Sequence, residues 1–220
     1  MILADFGTSY SKFLDLDTPD PQPTIVPSKE LKSQTRVDLC TGHNGHRFSD
    51  NYINELIALA RGGEELIKEK NYLLLDCGSR DIKYVIYENG KMKDMGWNAE
   101  CGASMGFTIE LLERYYDLDF KTMQVPEKTF SITCGVLGMS HIFDAITSGV
   151  PGDEAVARFV KGIAINACRF AGSPEKIYLS GGLCDNPLFV NSFPCQVVPL
   201  GRFVLLAGLK KAHLLAKNKS

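Results

Sequence analysis

Apolar and polar positions along the chain fall into a pattern that occurs twice. Near the start, the apolar run Met1-Ile2-Leu3 leads into Asp5-Phe6-Gly7-Thr8-Ser9-Tyr10-Ser11-Lys12 and then into a second strand-like stretch, Lys12-Phe13-Leu14. Seventy-one residues later, Tyr72-Leu73-Leu74-Leu75 leads into Asp76-Cys77-Gly78-Ser79-Arg80-Asp81-Ile82-Lys83 and then into Lys83-Tyr84-Val85-Ile86-Tyr87. Both copies read D-x-G-[ST]-x-x-x-K, and each predicts two strands joined by a small-residue turn, which marks a duplicated domain. Asp15-Leu16-Asp17 and Glu88-Asn89-Gly90-Lys91 supply turn chemistry after each hairpin, the Asn-Gly pair being a strong signal.

Between the copies, Ser49-Asp50 is expected to cap a helix running from Asn51 to Arg61 that ends at Gly62-Gly63. Further helices are expected at about 103–116, 136–148 and 153–171, then a strand at Lys176–Ser180 entering Gly181-Gly182 and a helix. A strand near Gln196–Pro199 and a helix from Val204 to Lys217 complete the layout, with a loop at the Pro-rich stretch 19–23. Alternating strands and helices with paired hairpins predict an α/β fold.

Composition changes this picture little. The 220 residues carry a net charge of −2 with Lys and Arg scattered, so neither nucleic acid nor an anionic membrane is an expected partner. The longest uncharged run, between Lys128 and Asp144, is too short and too polar for a membrane span, and a cytoplasmic location without signal peptide is expected. Seven cysteines without a CxxC pair make disulfides and local zinc patterns poor explanations, and a buried thiol is the ordinary reading of each. The four histidines show no metal-ligand spacing.

The small-residue turns carry the candidate chemistry. An Asp at a strand end, followed by Gly and a hydroxyl residue, offers backbone N–H groups and an OH to phosphate oxygens, while its carboxylate can hold a Mg²⁺-bound water. A single such turn is ordinary hairpin chemistry, but two with the same spacing are not. The patterns of a P-loop and of a dinucleotide-binding turn are both missing. The third glycine site, Ser180-Gly181-Gly182-Leu183-Cys184-Asp185-Asn186, follows a strand, where a backbone can approach a ligand closely.

Together these three sites resemble those of the actin-like, sugar-kinase and Hsp70-type ATPase superfamily. Within it the order of segments is most similar to the activator ATPases of 2-hydroxyacyl-CoA dehydratases and benzoyl-CoA reductases, over nearly the whole chain. The blocks that carry this are the opening DFGTSYSK, the segment Cys40-Thr41-Gly42-His43-Asn44-Gly45 with the Glu-bearing helix from Glu55, the second loop from Asp76 to Asp81, Asn98-Ala99-Glu100-Cys101-Gly102-Ala103-Ser104-Met105-Gly106-Phe107, and Ser131-Ile132-Thr133-Cys134-Gly135-Val136.

The resemblance implies an actin-like (ribonuclease H-like) ATPase fold of two duplicated lobes with a nucleotide cleft between them. Lobe I would be 1–70 plus about 203–220 and lobe II 71–202. It implies ATP or ADP with Mg²⁺, held by Asp5, Gly7, Thr8, Ser9 and Lys12 of the first loop and Asp76, Gly78, Ser79 and Arg80 of the second. Gly181, Gly182 and Asn186 would lie near the adenosine, and Glu55 would orient the hydrolytic water. Cys101 and Cys134 would meet their mates across a homodimer axis to hold one [4Fe-4S] cluster on four thiolates. Helix N-termini near both Cys would favour thiolates.

The implied activity is ATP hydrolysis coupled to electron transfer onto a client dehydratase- or reductase-like iron-sulfur enzyme, with ferredoxin or flavodoxin as reductant. Departures occur at Glu100, where the family has Lys, and around Met139 and His141, where it has acids. Two other readings use the same loops. One is a small-molecule kinase of amino-sugar or pantothenate type, for which Asp81 would be the substrate base. The other is a nucleotide-dependent scaffold, against which the intact pair Asp5 and Asp76 argues.

Overall fold

A computed structural model of the chain describes residues 1–98 and 105–218. It divides into two compact units. Unit 1 comprises Met1–Asn71, Val85–Met95 and Arg202–Ser220, and unit 2 Tyr72–Tyr84 and Gly96–Gly201.

Unit 1 is built on β1 (Ile2–Phe6), β2 (Tyr10–Asp15), β3 (Thr24–Pro27) and β4 (Leu39–Thr41), in the order β3-β2-β1-β4. β1 pairs antiparallel with β2, opposing Asp5 to Lys12, and parallel with β4, placing Asp5 beside Thr41. This sheet is therefore mixed. Central β1 buries Leu3 through Phe6 with no alternation, as a strand covered on both faces does.

Helices α1 (Glu55–Leu66) and α6 (Val204–Lys217) pack together, and α6 lies on β1, β2 and β4. The α1 boundaries differ from the expected ones. Asn54 caps the helix, its side chain accepting from the Leu56 N–H at 2.9 Å, while Ser49 and Asp50 belong to the preceding turn. Gly62 and Gly63 lie inside the helix instead of ending it. Their role is proximity, since a side chain at Gly62 would strike the Val204 carbonyl, and one at Gly208 of α6 the Ala58 carbonyl. The bare backbones let the two helices cross at near contact.

The second sheet runs β7-β6-β5-β8-β9, from β5 (Tyr72–Cys77), β6 (Ile82–Glu88), β7 (Lys91–Asn98), β8 (Lys176–Ser180) and β9 (Gln196–Gly201). β5 is buried along its whole length and pairs parallel with β8, which pairs parallel with β9. α4 (Gly152–Phe170) carries a wide apolar face through Val156, Phe159, Val160 and Ile163, and packs against α2 (Met105–Tyr115), α3 (Met139–Thr147) and α5 (Pro187–Asn191). Gly182 begins a short 3₁₀ turn reaching Asp185, where a helix was expected to open, and α5 starts only at Pro187. Among the described residues no helix is long and apolar enough to cross a membrane.

Candidate functional site

The first loop leaves β1 at Phe6 and re-enters the sheet at Tyr10. Asp5, 2% exposed, meets the Lys12 ammonium across the hairpin, Nζ to Oδ2 at 2.6 Å. Ser28, just past β3, holds the loop from below. Its N–H donates to the Ser9 carbonyl at 2.9 Å and its hydroxyl to the Gly7 carbonyl at 2.7 Å, leaving its oxygen to accept from Ser11 at 2.8 Å. Gly42, at φ +97°, lies against the Phe6 backbone, 2.5 Å from where its Cβ would stand, so the β4 turn presses onto the loop without a side chain between them.

Among the described residues, two hydroxyls in this construction have no protein partner. Ser9 Oγ and Thr41 Oγ1 are buried and make no hydrogen bond, Thr41 standing beside Asp5 on the neighbouring strand. A buried hydroxyl left unpaired costs about 1–3 kcal/mol, so each carries a hydrogen-bonding demand that the described residues do not meet. Thr8 is exposed at the tip.

In the second loop Asp76 is buried, and its Oδ1 accepts from Ser180 Oγ at 2.8 Å, tying the end of β5 to the end of β8. Gly181, at φ +94°, has no room for a side chain against the Cys77 carbonyl. Gly78 and Gly182 differ. A Cβ at Gly78 would make only ordinary contacts and one at Gly182 would meet nothing within 4 Å, so protein packing accounts for neither glycine. Asn186 is half-buried and spends its side-chain oxygen capping α5, accepting from the Phe189 N–H at 3.0 Å. Arg80 is half-buried, and Glu55 opens α1, also half-buried.

Asp81, the base that a kinase would need, has both oxygens engaged. Lys83 Nζ lies 2.6 Å from Oδ1 and Trp97 Nε1 donates to Oδ2 at 2.9 Å, with the Lys83 ammonium 5.6 Å from the Trp97 ring. A carboxylate so bound is a structural anion. The second loop also touches α2 directly. The Phe107 N–H donates to the Ser79 carbonyl at 3.0 Å, and Gly106 packs on the Gly78 carbonyl, 2.5 Å from its own Cβ position.

Cys101 lies outside the described residues, as does Glu100. Cys134 is half-buried and stands five residues before α3, its carbonyl accepting from the Gly138 N–H at 2.8 Å, so a turn separates it from the expected helix N-terminus. Burial pushes the Cys40 thiol up to about 11 and holds Cys77 and Cys184 above the ordinary thiol range. Cys195 is pushed up to about 12 by burial and by Cys168, whose sulfur is 3.9 Å away. Burial thus disfavours the thiolate at these four cysteines. Among the described residues no three of His, Cys, Asp and Glu gather into a metal-binding group.

Exposed apolar side chains surround the cysteine turn and α2. Val136 and Leu137 follow Cys134 after Gly135, Leu137 being 75% exposed, and Phe143 lies on α3. Phe107, Leu111 and Tyr115 form a stripe along α2 at the helical spacing, Tyr115 being 76% exposed. Ser28, Thr41 and Trp97 were not singled out from the sequence. Ser28 and Trp97 carry no local motif, and only the strand pairings bring them to the loops.

No protein-family model matches the chain. In sequence it is 25% identical over 178 residues to an uncharacterized protein of Methanocaldococcus jannaschii, a match spanning 75% of this chain and 72% of that one. It is 21% identical over 167 residues to the (R)-2-hydroxyglutaryl-CoA dehydratase activating ATPase of Acidaminococcus fermentans, spanning 70% of this chain and 64% of the other, less than two thirds of that relative's length. Among solved structures, the activator of the 2-hydroxyisocaproyl-CoA dehydratase from Clostridium difficile, with bound ADPNP, superposes with a TM-score of 0.76 at 20% identity, covering 99% of this chain and 94% of that one. The fold is thus the α/β fold of actin-like ATPases with two mixed sheets. In sequence and in fold the chain is similar to activator ATPases of 2-hydroxyacyl-CoA dehydratases, the resemblance its loops and cysteine segments carry in the sequence.

Proposed function

We propose that the chain is an ATP-hydrolysing iron-sulfur activator, which delivers a low-potential electron to a client enzyme of the 2-hydroxyacyl-CoA dehydratase or benzoyl-CoA reductase kind. The observation that carries the nucleotide half is the pair of unpaired buried hydroxyls, Ser9 Oγ and Thr41 Oγ1, flanking a buried Asp5 at the end of a central strand. Supporting it, a Cβ would meet only ordinary contacts at Gly78 and open space at Gly182, so the fold would tolerate a side chain at both. The two loops would bind Mg-ATP, with Asp5 and Asp76 on the metal side, Thr8 and Ser79 toward phosphate, Lys12 fixing Asp5, and Glu55 aligning water.

The electron-transfer half rests on Cys134. It is half-buried and followed by bare apolar side chains, the setting of a ligand that a second copy would cover. With Cys101 it would supply two thiolates per chain, and the partner copy the other two. A bound cluster would supply the one-electron carrier. The contact of Phe107 and Gly106 with Ser79 and Gly78 gives the second loop a mechanical hold on α2, the helix that follows Cys101 in sequence, so a shift of that loop on hydrolysis would move α2. The engaged Asp81 carboxylate argues against the kinase reading.

Anaerobic purification followed by an iron count and the visible spectrum tests the proposal. About four irons per dimer are expected, the stoichiometry of a cluster on four Cys, and Cys134→Ser should lose the iron while still binding ADP. An iron-free protein after reconstitution, or a Cys134→Ser variant that keeps its iron, overturns the electron-transfer half.

A further inference from the structure

Two cysteines that belong to neither loop and to neither candidate cluster segment face each other within unit 2. Cys168 is in the last turn of α4, 1% exposed, and its thiol donates toward the Cys195 sulfur at 3.9 Å. Cys195 is half-buried and stands in the bend just before β9, between the exposed Pro194 and Gln196. One residue of the pair is covered and the other is partly open to solvent.

Hydrogen bonds hold the backbone on each side. The Ser173 N–H donates to the Cys168 carbonyl at 2.9 Å as α4 ends, and the Gln196 N–H donates to the Glu175 carbonyl at 2.9 Å. The two cysteines are 27 residues apart in sequence, with β8 and α5 between them, so the fold and not a local motif brings them together. Cys184 is placed differently. It spends its sulfur on backbone, donating to the Leu179 carbonyl at 3.2 Å and accepting from the Gly201 N–H at 3.3 Å. A disulfide holds its sulfurs at about 2.05 Å, so those of Cys168 and Cys195 must close by roughly 2 Å. Cys195 lies outside any helix or strand, and has the freer backbone of the two for that movement.

We propose that Cys195 and Cys168 form a site of reversible thiol–disulfide exchange with a low-molecular-weight disulfide, RSSR. The Cys195 thiol gives its proton to solvent, its sulfur attacks one sulfur of RSSR, and RS⁻ leaves, so that Cys195 carries a mixed disulfide. Cys168 then gives up its proton and attacks the Cys195 sulfur, and the second RS⁻ leaves. Two protein thiols and RSSR thus give one protein disulfide and two RSH, the protein losing two electrons and the reagent gaining them. Burial disfavours the Cys195 thiolate, so the exchange is slow, and a reducing compartment keeps both thiols free. The bond would fasten the start of β9, the edge strand of its sheet, to the end of α4. Neither the nucleotide nor the cluster enters this exchange.

Oxidised glutathione is the probe. The full-length protein is incubated with it for hours at neutral pH, quenched with acid, alkylated under denaturing conditions and digested with trypsin. Peptide 162–169, which carries Cys168, should be joined to peptide 177–202, with fragment spectra placing the bond at Cys195 and not at Cys184. Its yield should not change with protein concentration, and dithiothreitol should reverse it. The oxidised form should melt about 5 °C or more higher, because the bond closes a loop between cysteines 27 residues apart. Cys195→Ser should lose both the joined peptide and the rise in melting temperature, and the residue is partly exposed, so the variant folds. Both cysteines fully alkylated after the incubation would overturn the proposal. So would glutathione left on Cys195 beside an alkylated Cys168, or a joined peptide that forms only in urea. An oxidised form that melts lower than the reduced one overturns it as well, since the bond would then distort the fold.

Discussion

At the level of single residues, the repeated Asp and Lys are not two independent ligands. Asp5 and Lys12 form a buried pair at 2.6 Å, so each substitution at one strands the other. Lys12→Met leaves a carboxylate unpaired inside the protein, and is expected to cost about 3 kcal/mol or more in urea unfolding. Asp5→Ala/Lys12→Met should recover most of that stability while Mg-ATP turnover stays lost. A Lys12→Met variant as stable as the wild type would show that the pair contributes little. The glycines divide as sharply. Gly182→Ala has free space, and should melt within about 0.5 kcal/mol of the wild type, yet bind ADP more weakly. Gly181→Ala meets both a left-handed backbone and the Cys77 carbonyl, so it should lose stability outright. If Gly182→Ala binds ADP normally, its openness is incidental and the third glycine site leaves the nucleotide list. The D-x-G-[ST] repeat exposed Asp5 and Lys12 in the sequence, and the Ser-Gly-Gly turn after a strand exposed Gly181 and Gly182, because each turn needs consecutive residues. Thr41, on β4, and Ser28, just past β3, complete the same loop from 36 and 23 residues beyond Asp5; Thr41 belongs to a segment that the resemblance marks, but nothing local announces that either residue meets the loop.

At the level of elements, periodicity identified those long enough to show a period. Strand β8 and helix α6 begin and end where the pattern puts them, and α3 and α4 lie within a few residues of it. Strands β3, β4 and β7 were not anticipated. The first two have four and three residues, and β7 is mostly exposed, so no alternation of buried and open positions distinguishes it. The misplaced end of α1 has a different cause. Gly62-Gly63 reads locally as a terminator, but the helix gains more from lying against α6 than it loses in propensity, and the glycines are what permit that approach. Gly208→Val should therefore force α1 and α6 apart and destabilise the protein by about 3 kcal/mol, read as a lowered melting temperature. The same substitution at Gly172, which has open space but a positive φ, should cost only its backbone strain, separating crowding from conformation.

At the level of the whole molecule, exposed apolar side chains occur among the described residues just after Cys134, at Val136 and Leu137, and along α2, at Phe107, Leu111 and Tyr115. If a second copy covers Leu137, then Leu137→Glu should shift the protein toward monomer in sedimentation velocity without lowering its melting temperature by much, since a 75% exposed side chain supports little core. An unchanged sedimentation coefficient would move the partner to another face. Unit 1 is assembled from both ends of the chain, because α6, beginning at Val204, covers β1, β2 and β4 and fills the crossing with α1. During synthesis the first loop is therefore made some two hundred residues before α6 and stays on an unfinished core until α6 emerges, whereas residues 96–201 of unit 2 form one continuous stretch. Loss of the final helix, by a frameshift or by proteolysis, would disable the first loop from a distance of some two hundred residues while leaving that loop's own sequence intact.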